Sequence, residues 1–122
     1  MKMLQISLKN IIYNGKGRNI DSRFPSRKGK EQMGTRPAIV IADTKTDLAL
    51  LIPLTSNLES MRKLPFTVEI KKSNDNKLEK DSVALVFQIQ AIDKKRILSK
   101  IGNIEDYYLE KIDRTIKELL KI

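Results

Sequence analysis

The sequence predicts a mainly β (α+β) domain: an antiparallel sheet curled into a small barrel, followed by a C-terminal helix. Three observations carry this. Short apolar or alternating runs recur between Ala38 and Ile92 with brief polar turns between them, and sequential strands joined by turns pair antiparallel. The last segment has helical spacing instead, with Leu109, Ile112, Ile116 and Leu119 on one face. The chain has 122 residues, 40% hydrophobic and 32% charged, which is one domain able to bury about two-thirds of its surface.

The elements follow in order. Residues 2–13 (KMLQISLKNIIY) supply one weakly alternating strand. Residues 14–35 gather four of the five glycines and six Lys/Arg, a basic loop of a length that small domains keep for function or motion. Ala38–Ala42 (AIVIA) is a strand buried on both faces, and Asp43–Asp47 is a polar turn. Leu48–Leu54 is a second apolar strand, with Pro53 placing that end at an edge or strand exit. Phe66–Ile70 alternates as a half-buried strand, and residues 71–80 form a hairpin-like polar connection. Ser82–Ile92 reads as the longest strand, with Phe87, Ile89 and Ala91 on one face and Gln88, Gln90 and Ile92 on the other. A short helical turn follows Asp93. Asn103, with Asp106 three residues on, is the expected cap of the terminal helix. No repeat or domain boundary is visible, so residues 1–122 are expected to form a single domain with a basic loop at about 14–35.

Composition removes whole classes of chemistry. Without cysteine there are no disulfides, thiol nucleophiles or thiolate metal sites, and without histidine no imidazole acid, base or ligand. Catalysis would fall to carboxylates, hydroxyls, amides, Lys or Arg, and no cofactor or metal is expected. Trp is absent and there are three Tyr and three Phe, so base-stacking platforms are sparse. The apolar runs are far short of the ~20 residues of a membrane span, and the N-terminus does not read as a secretory signal; a cytoplasmic protein without membrane contact is expected. The net charge is +9, and residues 1–37 carry nine Lys/Arg against Asp21 and Glu31. A basic segment of that density either attracts a polyanion, nucleic acid being the common one, or is a solvated arm.

Four places carry candidate chemistry. Arg36 stands at a loop–strand junction with Pro37 fixing the next φ, a setting in which a guanidinium fork grips phosphate oxygens in pairs; the plain alternative is a surface cation. Thr55 and Ser56 end the second apolar strand, where two hydroxyls either bond a phosphoryl oxygen or cap the next turn. Gln88 and Gln90 line either a groove that contacts bases or a solvated sheet face. Asp93 and Arg96 read as a local cap or ion pair.

Longer strings add a resemblance. Gly29-Lys30-Glu31-Gln32-Met33-Gly34-Thr35-Arg36-Pro37, leading into Ala38-Ile39-Val40-Ile41, resembles the G-x-E-Q-x-G-x-R-P-[apolar]₄ signature of the MazF/PemK (Kid-like) toxins. Pro53-Leu54-Thr55-Ser56, the 81–89 string DSVALVFQI, and Ile92-Asp93-Lys94-Lys95-Arg96-Ile97 with Ile101-Gly102 resemble three further family motifs in the same order. The resemblance covers about residues 29–122. It departs at residues 1–28, which lack a good copy of the family's R-G-[DE]-[IV]-[YWF] opening. It departs also at Phe87, where an acidic residue is common, and at Gln90, where Arg or Lys is.

The resemblance implies an SH3-like barrel, a homodimer, and a toxin neutralised by a cognate antitoxin whose peptide occupies the RNA groove. It implies a metal-independent, sequence-specific endoribonuclease that cleaves single-stranded RNA (mRNA) by 2′-hydroxyl attack to a 2′,3′-cyclic phosphate. Arg36 and Thr55 match positions the family uses for cleavage, and Glu31 matches an acidic position at the site; Glu31 would either take the 2′-hydroxyl proton or hold Arg36. Ser56, Gln88 and Gln90, with Arg18, Arg23, Arg27, Lys28 and Lys30 of the basic loop, are the expected RNA contacts. Two other readings stay open: a non-catalytic relative acting by protein binding, as the CcdB-like gyrase poisons do, and a plain RNA-binding module.

Overall fold

A computed structural model describes the backbone of residues 2–7 and the whole of residues 35–122. The expected first strand is seen as β1 (Lys2–Ser7); residues 8–13 and nearly all of the basic loop lie outside the described residues. Then follow β2 (Thr35–Asp43), β3 (Leu48–Thr55), the short helix α1 (Leu58–Met61), β4 (Thr67–Ile70), β5 (Ser82–Leu85), β6 (Gln90–Asp93), β7 (Ile97–Asn103) and the terminal helix α2 (Asp106–Leu120). The described strand pairs are antiparallel. They run in the order β4-β5-β3-β2-β1-β7, and β6 also pairs with β3.

The two ends of that path meet, which is what curls the sheet. The Asn103 amide on β7 donates to the Asp75 carbonyl in the β4–β5 connection at 2.9 Å. Gly102 makes this approach possible: a Cβ there would stand 2.6 Å from the Asp75 oxygen and 2.9 Å from that of Asn76, closer than any side chain is tolerated against backbone.

β2 is apolar on both faces because both are covered. Ile39 joins Ile52, Leu54, Ile70, Val86 and Ile112 in the main core. Ala38 turns the other way, onto Leu51 and Ile92, with Val40 and Ile97 against them. The α2 stripe packs as its spacing requires: Ile112 is fully buried, and Leu109, Ile116 and Leu119 lie against the main core. A buried side chain of that size contributes about 1.5–3 kcal/mol. Tyr108, outside the expected stripe, is also buried, and its hydroxyl accepts from the Lys71 amide at 2.9 Å.

Several expectations are corrected. Ser82–Ile92 is two strands, β5 and β6, separated by a 3-10 turn at Val86–Gln88. β3 explains the break. It pairs with β6 along Leu48–Leu51 and with β5 at Leu54 and Thr55, so the chain must turn to serve both. Pro53 lies between those two ladders, within β3 rather than at its exit, where neither needs its missing amide hydrogen. Gln90 and Ile92 do share a face, opposite Leu51 and Ala49, but Gln88 belongs to the turn. Asn103 does not cap α2; it ends β7, and Glu105 occupies the cap position without a side-chain capping bond. β7 and α1 had no clear sequence signal. The turn after Asp93 is present as a 3-10 turn, Lys94–Arg96, with Asp93 Oδ1 accepting from the Lys95 amide at 2.9 Å.

Candidate functional site

The site begins with strand alternation at one end of the β2–β3 pair. Ala38 is paired with Pro53. Carried two residues further, the same register sets Arg36 opposite Thr55, and directly opposed residues share a face with Cβ atoms about 4.5–5.5 Å apart. That face is the one carrying Ala38 and Leu51. Both Arg36 and Thr55 are half-buried. Thr55 Oγ1 accepts from the Asn57 amide at 3.2 Å, so the turn-capping role is real. It uses a lone pair of the hydroxyl and leaves its proton to donate.

Gln90 belongs to the same face through its pairing with Leu51. Its Nε2 donates to the Gln88 carbonyl at 3.1 Å, while its Oε1 is buried without a hydrogen-bond partner. A buried, unpaired acceptor is costly, and this one lies on the face that carries the guanidinium and the hydroxyl. Arg96, on the turn after β6, is partly buried; burial lowers its pKa and Asp93 opposes that shift.

Ser56, one residue on, faces elsewhere. It lines a concavity of about 530 Å³ together with Thr35 and Pro37 from the start of β2, Lys77–Lys80 and Ser82 from the β4–β5 hairpin, and Ile101. Thr55 and Ser56, expected to act as one pair of hydroxyls, are divided by alternation between the Arg36 face and this concavity. Phe87 is exposed. Glu31, Arg18, Arg23, Arg27, Lys28 and Lys30 lie outside the described residues.

The β4–β5 hairpin carries no distinctive sequence signal, because residues 71–80 read simply as polar. Its anchor is Asn76, fully buried. Asn76 Oδ1 accepts from the amides of Ser73 and Leu78, both at 3.0 Å; Nδ2 donates to the Lys71 carbonyl at 3.0 Å and to Glu105 Oε1 at 3.1 Å. Ser73 Oγ donates to the other Glu105 oxygen at 2.5 Å. Burial works against the charged form of Glu105, but hydrogen bonds from Ser73, the backbone and Asn76 outweigh it and hold the carboxyl below its ordinary pKa. The loop is thus tied to the start of α2. Among the described residues no cluster of metal-ligating side chains is present, and no helix is long and apolar enough to cross a membrane.

A curled antiparallel sheet with a terminal helix, and an arginine and a threonine set on one face at one end of it, define a small β domain of the α+β class. Comparison with known proteins is consistent with that class. The family model for the PemK-like, MazF-like toxin of type II toxin–antitoxin systems matches residues 21–120. The Endoribonuclease EndoA of Bacillus subtilis (strain 168) is 34% identical over 93 residues, covering 73% of this chain and 78% of that protein. The chain belongs to the PemK-like, MazF-like toxin family. In fold it is similar to MazF (Form-I) from Deinococcus radiodurans, with a TM-score of 0.64 at 20% identity over 99% of this chain and 94% of that one. It is similar also to a mycobacterial endoribonuclease in complex with its cognate antitoxin, with a TM-score of 0.60 at 17% identity over 73% and 84%.

Proposed function

We propose that this toxin is an endoribonuclease that cleaves single-stranded RNA at the Arg36–Thr55 end of the sheet, without a metal. The observation that carries the reading is the β2–β3 register, which sets a guanidinium and a hydroxyl proton on one half-buried face. The family membership and the 34% identical endoribonuclease support the activity.

The reaction asks little of the protein. The ribose 2′-oxygen attacks the adjacent phosphorus and gives up its proton, the P–O5′ bond breaks, the departing O5′ takes up a proton, and a 2′,3′-cyclic phosphate and a 5′-hydroxyl end remain. Arg36 places its fork on the non-bridging oxygens and balances the charge that builds there; Thr55 donates to one of them. Fixed donors of this kind are worth roughly 10²–10³ in rate each. Gln90 Oε1, turned toward a ribose or base donor, relieves its unpaired burial when RNA is bound. Glu31 and the basic loop complete the reading as the proton acceptor or Arg36 support, and as the backbone-binding arm.

The natural partners in this reading are a cognate antitoxin, as in the mycobacterial complex, and a second copy of the chain, with the protein acting in the cytoplasm. The test is cleavage of defined single-stranded RNA in EDTA, with the product end identified. A cyclic phosphate and losses of about a hundredfold or more in Arg36→Ala and Thr55→Ala, both still folded, are expected. Equal rates in wild type and variants refute the site.

A further inference from the structure

We infer that the concavity beside Ser56 is the pocket for the base next to the scissile phosphate, and that Glu79 selects that base by accepting from its exocyclic amino group. The inference rests on the nuclease reading above. Arg36 follows Thr35, and Ser56 follows Thr55; Thr35 and Ser56 line the concavity while their neighbours take the opposite face. Both pairs stand at the ends of β2 and β3, one strand step of about 3.3 Å apart along the backbone, so a strand of RNA crossing those ends passes from the one face to the other. An RNA strand held by its phosphate at Arg36 and Thr55 brings the adjoining base to the concavity.

The lining fits such a base. The volume of about 530 Å³ lies within the range of small-ligand sites. Pro37, Leu78 and Ile101 supply apolar surface for a ring face. Lys77 and Lys80 supply cations for the flanking phosphate. Ser82, only 3% exposed, donates its hydroxyl to the Lys80 carbonyl at 2.9 Å and keeps lone pairs for a donor from the ligand. The β3–β5 register, Leu54 with Ala84 and Thr55 with Val83, puts Ser56 opposite Ser82 one pair further on. Glu79 is the carboxylate among these groups, and a carboxylate accepts from the amino groups of cytosine, adenine or guanine, which uracil lacks.

The pocket is also built before ligand arrives. Lys77 takes a left-handed conformation, φ 57°, which a lysine adopts only when its surroundings enforce it. Asn76 and the Gly102 contact enforce it from beneath. Shape, charge and hydroxyls are therefore presented by a fixed hairpin rather than gathered on binding.

The test uses the full-length protein and a single-stranded RNA pool of randomised sequence, with all cut sites mapped. Wild type is expected to disfavour uracil at one position flanking the cut. Glu79→Ala loses that bias while cutting continues. Lys77→Ala/Lys80→Ala raises KM about tenfold on an RNA carrying the preferred site, a larger change than in kcat. Urea midpoints within error of wild type confirm that these exposed positions leave the fold intact. Cutting with the same flanking preference in Glu79→Ala, or an unaltered KM in the double variant, overturns the inference alone. Failure of wild type to cut any RNA overturns the nuclease reading and the inference with it.

Discussion

Asn76→Ala removes four side-chain hydrogen bonds at once, from the amides of Ser73 and Leu78 and to the Lys71 carbonyl and the Glu105 carboxylate. Three of them are neutral, contributing about 1 kcal/mol each, and the bond to the carboxylate contributes about 1.5–3 kcal/mol. Lys71 is exposed and Ser73 half-buried, so water recovers part of the loss, and the expected cost is about 3–5 kcal/mol. That is a large share of the ~5–15 kcal/mol that holds a domain together. The assay is equilibrium urea unfolding followed by circular dichroism. With an m-value of about 2 kcal/mol/M, the midpoint falls by roughly 2 M. Asn76→Asp is the sharper variant. It keeps the size but sets a second carboxylate against Glu105, so its stability recovers as the pH is lowered and the pair takes up a proton. A midpoint for Asn76→Ala within about 0.3 M of wild type refutes the claim that this residue anchors the hairpin.

The remaining predictions are briefer. Gly102→Ala costs about 1–3 kcal/mol in the same assay, because its Cβ meets backbone oxygens that cannot yield. Ile112→Ala, at a fully buried position of α2, lowers stability by about 2–5 kcal/mol through the cavity it leaves. Because Glu105 is held below its ordinary pKa, its stabilising contribution is complete above the usual carboxylate range and is lost as pH falls through the lowered folded value. The stability gap between wild type and Glu105→Gln therefore narrows between about pH 7 and about pH 3, which urea midpoints at both ends will read. Arg36→Lys keeps the charge but not the fork, and is expected to slow RNA cleavage about tenfold or more, measured by initial rates.

Much of the architecture was legible because burial leaves regular marks. AIVIA is apolar throughout since β2 has a core on each side, and the 3–4–3 spacing of Leu109, Ile112, Ile116 and Leu119 is the trace of one face against a sheet. The division of Ser82–Ile92 was not legible, because Val86 and Phe87 are apolar in a turn just as they would be in a strand; only β3, earlier in the chain and shared by two partners, requires the break. β7 (ILSKIGN) was hidden by its exposed polar residues and bulged pairing with β1. Asn103 looked like a cap because Asp106 follows at the right spacing, yet the strand claims it first. At the site, Arg36 and Thr55 stood out from their places beside Pro37 and after Pro53. The concavity did not, because Lys77, Glu79 and Lys80 carry no pattern until the hairpin folds over the ends of β2 and β3.

The position of β1 has a consequence for synthesis. β1 lies between β2 and β7, and β7 follows it by about ninety residues in sequence. A pairing between segments so remote in sequence closes late and slowly. On the ribosome, β1 keeps one border bare until residues 97–103 have left the exit tunnel, so a nascent copy carries an open sheet edge long after β1 and β2 have emerged.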